Sequence, residues 1–205
     1  VYKAKGVENL DINQEKRPPF ATPYVANISC LLVNKNLIGD IKIESYDDLL
    51  NPAFKGKIAS GDPAASSSAY FQLTNILLTH GGYESEEAWD FVEKLVANME
   101  GKIFSSSGAV HRSVADGEFT VALTYDDPSS NYVRNGAPVY IVYPKEGAVS
   151  HDSYVGLIKN AKHMENAKKF ADFIVPPKAQ NAFGTQLTNV PLMQGVELGP
   201  PATCL

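Results

Sequence analysis

Hydroxyl groups recur in two short blocks, Ser66-Ser67-Ser68 and Ser105-Ser106-Ser107, and a third polar block reads Tyr125-Asp126-Asp127. Each serine block separates a short apolar run from a stretch with helical spacing. One serine at such a place caps a helix by accepting an N–H of the first turn. Three exceed that need. A helix start offers free N–H groups and about half a positive charge, so added hydroxyls make it an anion seat. The alternative is one cap beside small, solvated filler. Asp126 and Asp127 likewise have two readings: they hold a cation, an amine or a sugar hydroxyl, or one carboxylate caps the turn before Pro128.

Catalytic constellations are weaker. His80, His111, His151 and His163 form no HExxH and no short metal-ligand ladder. His80 and His163 stand near helix ends, where a histidine is solvated or satisfies the dipole. His111 lies just past Ser105–Ser107, but a base also needs a positioned nucleophile. His151-Asp152 sits in a polar loop. Gly-x-Ser-x-Gly, P-loop and Gly-x-Gly-x-x-Gly patterns are absent. The residues therefore favour binding over catalysis, with no metal and no cofactor called for.

Composition narrows the partners. Eighteen basic and 23 acidic residues among 205 give a net charge of -5 without a basic block. Nucleic acid is excluded on that ground, since phosphate backbones need a clustered positive surface. No run of 18 apolar residues is present. Without an initiating Met or a basic-apolar leader, a processed or partial chain is expected. Cys30 and Cys204 are too few and too far apart for a metal or redox pair. Cys30, in Ile28–Val33, reads as a buried thiol; a Cys30–Cys204 disulfide is the alternative for an exported protein.

Alternating elements must carry these blocks. Strands are expected at Val25–Val33, Lys57–Ala59, Lys102–Phe104, Phe119–Tyr125, Pro138–Tyr143 and Tyr154–Ile158. Helices are expected at Tyr46–Leu50, capped by Ser45 with Asp48, at 69–79, and from Ser85 through Val96 with Trp89 as a core anchor. Further helices follow around Val110 and Val114, at Ser129–Arg134, at 164–174 and at 178–183. The Pro- and Gly-rich tail from Gly195 is expected to lie loosely on the surface. Such alternation implies an α/β fold with a mostly parallel sheet covered by helices on both faces. Sites in such sheets gather beyond the carboxyl ends of strands, where all three polar blocks fall.

Read together, longer segments resemble a known family. Tyr46-Asp-Asp-Leu-Leu-Asn-Pro-Ala-Phe-Lys-Gly-Lys-Ile-Ala-Ser-Gly-Asp-Pro63 resembles the opening of the second lobe of type 2 extracellular solute-binding proteins, the receptors of ABC importers. The likeness continues through Ala88-Trp-Asp-Phe91, Val114-Ala-Asp-Gly-Glu118, Leu123-Thr-Tyr-Asp126, Val142-Tyr-Pro-Lys-Glu-Gly147, Ala167-Lys-Lys-Phe-Ala-Asp-Phe173 and Asn189-Val-Pro-Leu192. The nearest cluster takes ferric iron, thiamine, or phosphorylated and phosphonate solutes.

The resemblance implies a periplasmic-binding-protein-like type 2 fold: two α/β lobes that close on a solute between them. Residues 1–28 would be a remnant of the first lobe and the first crossing, 29–150 the second lobe, and 151–205 the return crossing with the end of the first lobe. Ser66, Ser67 and Ser68 would grip the anionic part of the solute, Ser105, Ser106 and Ser107 would form the next binding loop, and Tyr125 with Asp126 the third. It also implies export to the periplasm or the extracellular face, and a membrane permease as partner. Two departures stand out. Family members carry a first half-lobe before the first crossing, whereas here Val25 already opens it; a missing N-terminal fragment or a second copy of the chain is expected to cover the first lobe. Ferric-iron members show adjacent tyrosines where this chain has Ser129-Ser-Asn-Tyr132. A phosphonate, sugar phosphate or similar anion is therefore the leading solute, iron the alternative, and an α/β enzyme acting on a small phosphorylated substrate the remaining one.

Overall fold

The computed structural model describes residues 2–12, 15 and 17–199. The chain forms two compact units, Ile28–Ser150 and the combination of Val1–Asn27 with His151–Leu205. In the Ile28–Ser150 unit the strand order is β3 (Ile103–Phe104), β2 (Ile58–Gly61), β4 (Val121–Tyr125), β1 (Ala21–Asn34) and β5 (Val139–Val142), with residues 28–34 of β1 contributing. β2 pairs in parallel with β3 and β4, as the strand–helix alternation implies. β1 runs antiparallel to β4 and β5, so the sheet is mixed rather than mostly parallel. Parallel neighbours need a crossover, usually helical; only two short 3-10 turns, Asp47–Leu50 and Pro52–Phe54, lie between β1 and β2. Because β5 is antiparallel to β1, it points the same way as β4.

Both faces of this sheet are covered, which explains its near-continuous apolar strands. Leu31, Val33, Ile58, Val121 and Leu123 pack with Tyr46, Leu49, Ile76 and Leu95 on one side. Leu32, Ala59 and Ala122 pack with Val110, Val114 and Val139 on the other. The first side carries α1 (Ser67–Thr79) and α2 (Glu86–Met99), the second α3 (Ser107–Ala115) and α4 (Asp126–Arg134). The segment expected as a helix after Ser45 is the first of those 3-10 turns. Its start is still boxed: Asp48 accepts the Ser45 N–H at 2.9 Å while Ser45 Oγ accepts the Asp48 N–H at 3.3 Å.

Trp89 is not the core anchor expected from its spacing. It is 47% exposed, its indole N–H donates to the Tyr83 carbonyl, and its ring borders an apolar cavity of about 120 Å³ with Leu73, Val92 and Val96. Ala88 and Phe91 take the inward positions of that helix. α4 starts at Asp126, earlier than expected, since Pro128 is tolerated within a first turn.

The other unit packs Val7, Leu10, Ala26, Ala171, Ile174 and Leu192 together. Its elements are α5 (Met164–Phe173), α6 (Pro177–Thr185), β7 (Val190–Pro191) and most of β6 (Ser150–Gly156), which begins before the expected Tyr154. Buried Gln180 ties them: its amide donates to Tyr24 and Ile174 carbonyls and accepts the Leu192 N–H. Ile158, Phe170 and Phe173 are 79%, 54% and 68% exposed, on segments expected to lack apolar neighbours. The start of the tail is tied down rather than loose, with Glu197 N–H on Asn181 and Gly199 N–H on the Gly184 carbonyl. Cys204, and with it the disulfide question, lies outside the described residues; Cys30 is a buried free thiol.

Candidate functional site

Three helices leave directly from three adjacent parallel strands. β2 runs through Asp62–Ala65 into α1, β3 through Ser105-Ser106 into α3, and β4 without a break into α4. Neighbouring strands stand roughly 4.8 Å apart, so the three helix starts lie side by side at one end of the sheet. This brings Ser66–Ser68, Ser105–Ser107 and Tyr125–Asp127 together within the Ile28–Ser150 unit.

The first two starts are open. Ser66 and Ser106 occupy the cap positions with extended backbone, yet neither hydroxyl caps its helix. Ser66 Oγ instead meets Ser68 Oγ at 3.0 Å. Among the described residues, the N–H groups of Ser67, Ser68 and Ala69, and of Ser107, Gly108 and Ala109, have no acceptor. The loop before α1 is held by its own backbone: Asp62 accepts the Ala64 N–H through its side chain and the Ala65 and Ser66 N–H groups through its carbonyl. Gly61 lets the first turn of α1 approach the strand end, since a Cβ there would stand 3.1 Å from the Ala69 Cβ.

The third start is closed. Asp126 is 2% exposed, and its Oδ1 accepts the N–H groups of Ile28 and Asp127, each at 2.9 Å. Burial pushes its carboxyl up to about 6, against the pull of those two bonds. Ser129 Oγ donates to the Tyr125 carbonyl. Tyr125 is half-buried, and the buried His111 ring meets it edge-on at 5.5 Å. Burial lowers His111 to about 4, and its Nε2 has no partner among the described residues. Of the other histidines, His80 closes α1, with Nδ1 2.7 Å from the Ile76 carbonyl and its ring stacked on Phe91.

Sequence reasoning missed several polar residues behind the site. Gln72 of α1, fully buried, donates to the Cys30 and Thr124 carbonyls across the β1–β4 pair and accepts from Tyr46. Asn75 accepts the Val149 N–H and donates to the Tyr46 hydroxyl. An amide on an otherwise apolar helix face was the available clue. No cluster of three or more metal-ligating His, Cys, Asp or Glu side chains exists among the described residues.

Comparison with known proteins agrees with the fold. Iron uptake protein A1 of Synechocystis is 29% identical over 182 residues, covering 82% of this chain and 49% of that protein. The spermidine/putrescine-binding periplasmic protein of Escherichia coli is 25% identical over 185 residues, covering 85% and 51%. The solved periplasmic binding protein P5PA superposes with a TM-score of 0.83 at 25% identity, over 97% of this chain and 65% of its own. The chain thus spans about half the length of the curated relatives it matches. Two of these three are named as periplasmic binding proteins. The description of the bacterial extracellular solute-binding proteins fits residues 2–202, nearly the whole sequence, and the chain belongs to that family.

Proposed function

We propose that the chain is the solute-gripping part of a receptor that delivers a small anion to the membrane permease of an ABC importer. The anion sits against the first turns of α1 and α3, held by Ser66–Ser68 and Ser105–Ser107, with Tyr125, Asp126 and Asp127 bordering it. The observation that carries this reading is the pair of uncapped helix starts: free N–H groups beside hydroxyls with no capping role, on adjacent strands. Phosphate or phosphonate oxygens accept several short N–H and O–H bonds at once, which suits such a seat. Titration calorimetry with inorganic phosphate, methylphosphonate and glucose 6-phosphate tests it. Saturable binding of at least one, weakened by Ser66→Ala with Ser68→Ala, is expected; no binding of any of the three rejects the anion.

Ferric iron is the second reading, favoured by the Synechocystis relative's name. Tyr125 supplies one phenol, whereas Tyr132 packs against the cluster around Leu32 and Val110. Ferric citrate titration followed by phenolate charge-transfer absorption decides that case. The exposed Ile158, Phe170 and Phe173 are read as the seat of further polypeptide, a separate fragment or a second copy. Native mass spectrometry of the isolated protein distinguishes the two.

A further inference from the structure

The cavity of about 120 Å³ beside Trp89 lies where α1 and α2 meet the β3 edge of the sheet, inside the Ile28–Ser150 unit. β3 is only two residues long, and Gly61 and Ala69 bring little bulk to this corner, so Leu73, Val92 and Met99 leave space between them. The space reaches the surface beside Trp89, Val96 and Ile103, which line it and are 47%, 47% and 43% exposed.

No charged side chain lines the cavity, and its polar side chains have their donors engaged within the protein. The Gln72 amide donates to the Cys30 and Thr124 carbonyls, and its oxygen accepts from the Tyr46 hydroxyl. Ser60 Oγ donates to the Gly61 carbonyl at 3.2 Å, and the Trp89 indole to that of Tyr83 at 2.8 Å. A water molecule needs about two to four polar partners to settle in a cavity, and a charged occupant would leave its own groups unpaired. An apolar molecule gives up no hydrogen bond here and takes the exposed part of the Trp89 ring out of water.

Size sets the second limit. An apolar cavity of about 150 Å³ holds benzene, so this one takes a single ring, with the open mouth leaving room for a small substituent. We infer that this corner is a binding site for a small uncharged molecule, an aromatic ring or a branched hydrocarbon group of that size. Its occupancy needs no anion at the helix starts.

Trp89 is the one tryptophan of the chain, so its fluorescence reports an occupant directly. Titration with toluene should give a saturable change in Trp89 emission, whereas benzoate, a charged ring of similar size, should give none over the same range. The thermal unfolding midpoint should rise with toluene concentration, since a ligand that binds only the folded state stabilises it by mass action. Val92→Phe puts a ring of the protein's own into the cavity and should weaken toluene about tenfold or more. Leu73→Ala enlarges the cavity and should raise naphthalene affinity relative to toluene about tenfold, which decides the matter if Val92→Phe does not fold. No saturable response to toluene overturns the site, and so does a response that benzoate matches or a midpoint that fails to rise. A toluene response unchanged in Val92→Phe, or a naphthalene-to-toluene ratio unmoved by Leu73→Ala, puts the ring elsewhere and overturns it as well.

Discussion

Asp126 Oδ1 accepts the Ile28 N–H at 2.9 Å, binding the first residue of α4 to the point where β1 enters the Ile28–Ser150 unit. The carboxyl is buried and pushed up to about 6, above its ordinary 3.8. The folded protein therefore holds this proton more tightly than the unfolded chain. Its contribution is fully present below about pH 4 and is lost as pH rises through 6, amounting to at most ~3 kcal/mol. Asp126→Asn keeps a carbonyl acceptor for Ile28 and removes the titration. Urea unfolding from pH 4 to 7 should show the variant gaining on the parent as pH rises, and a difference that stays flat would reject the shift.

His111 acts with the opposite sign. Burial lowers its imidazole from 6.5 to about 4, so the unfolded chain takes up the proton first as pH falls. Stability is lost between about pH 6.5 and 4, by up to ~3 kcal/mol. His111→Gln should flatten that loss. The windows of Asp126 and His111 overlap, so the parent protein's own profile shows little of either, and only the two variants measured against it separate them.

The serines at the helix starts differ in what they support. Ser85 Oγ accepts the Ala88 N–H at 3.2 Å and caps α2, so Ser85→Ala should cost about 1 kcal/mol of stability. Ser66 caps nothing. Replacing Ser66 and Ser68 together should change stability by about 0.5 kcal/mol or less yet weaken phosphate or phosphonate binding by roughly 1–3 kcal/mol. Equal losses of stability at both places would make Ser66 a cap after all.

The contrast shows what was legible in the sequence. The strand ends and the polar blocks beyond them follow from local signals: apolar runs, turn residues and a switch to helical spacing. The antiparallel course of β1 does not, because strand direction is set by how the chain reaches the sheet and not by its own residues. Trp89 misled for a similar reason, as helical spacing fixes a face only to within a residue, and Ala88 and Phe91 took the core. Asp126 could be read as ligand or cap from its neighbours, whereas its bond to Ile28 joins residues 98 apart. Gln72 and Asn75 act through groups distant in sequence, and no periodicity announces such partners.

Gly61 offers the sharpest separation of site from scaffold. A Cβ at this position would stand 3.1 Å from the Ala69 Cβ and 3.5 Å from the Ser66 Cβ, so any side chain pushes on the first turn of α1. The backbone itself accepts alanine, since Gly61 is not among the glycines with positive φ. Alanine also removes the entropy penalty of glycine within a strand, about 0.5–1 kcal/mol, which offsets the crowding. Gly61→Ala is thus expected to leave the urea midpoint within about 1 kcal/mol of the parent, while turning the Ser67, Ser68 and Ala69 N–H groups off the anion. Hydrogen bonds weaken steeply with misalignment, so phosphate affinity should fall by about tenfold or more. Gly61→Val, branched at Cβ, should cost ~1–3 kcal/mol of stability by overpacking and abolish binding. If Gly61→Ala binds phosphate as the parent does, the first turn of α1 is not where the anion sits.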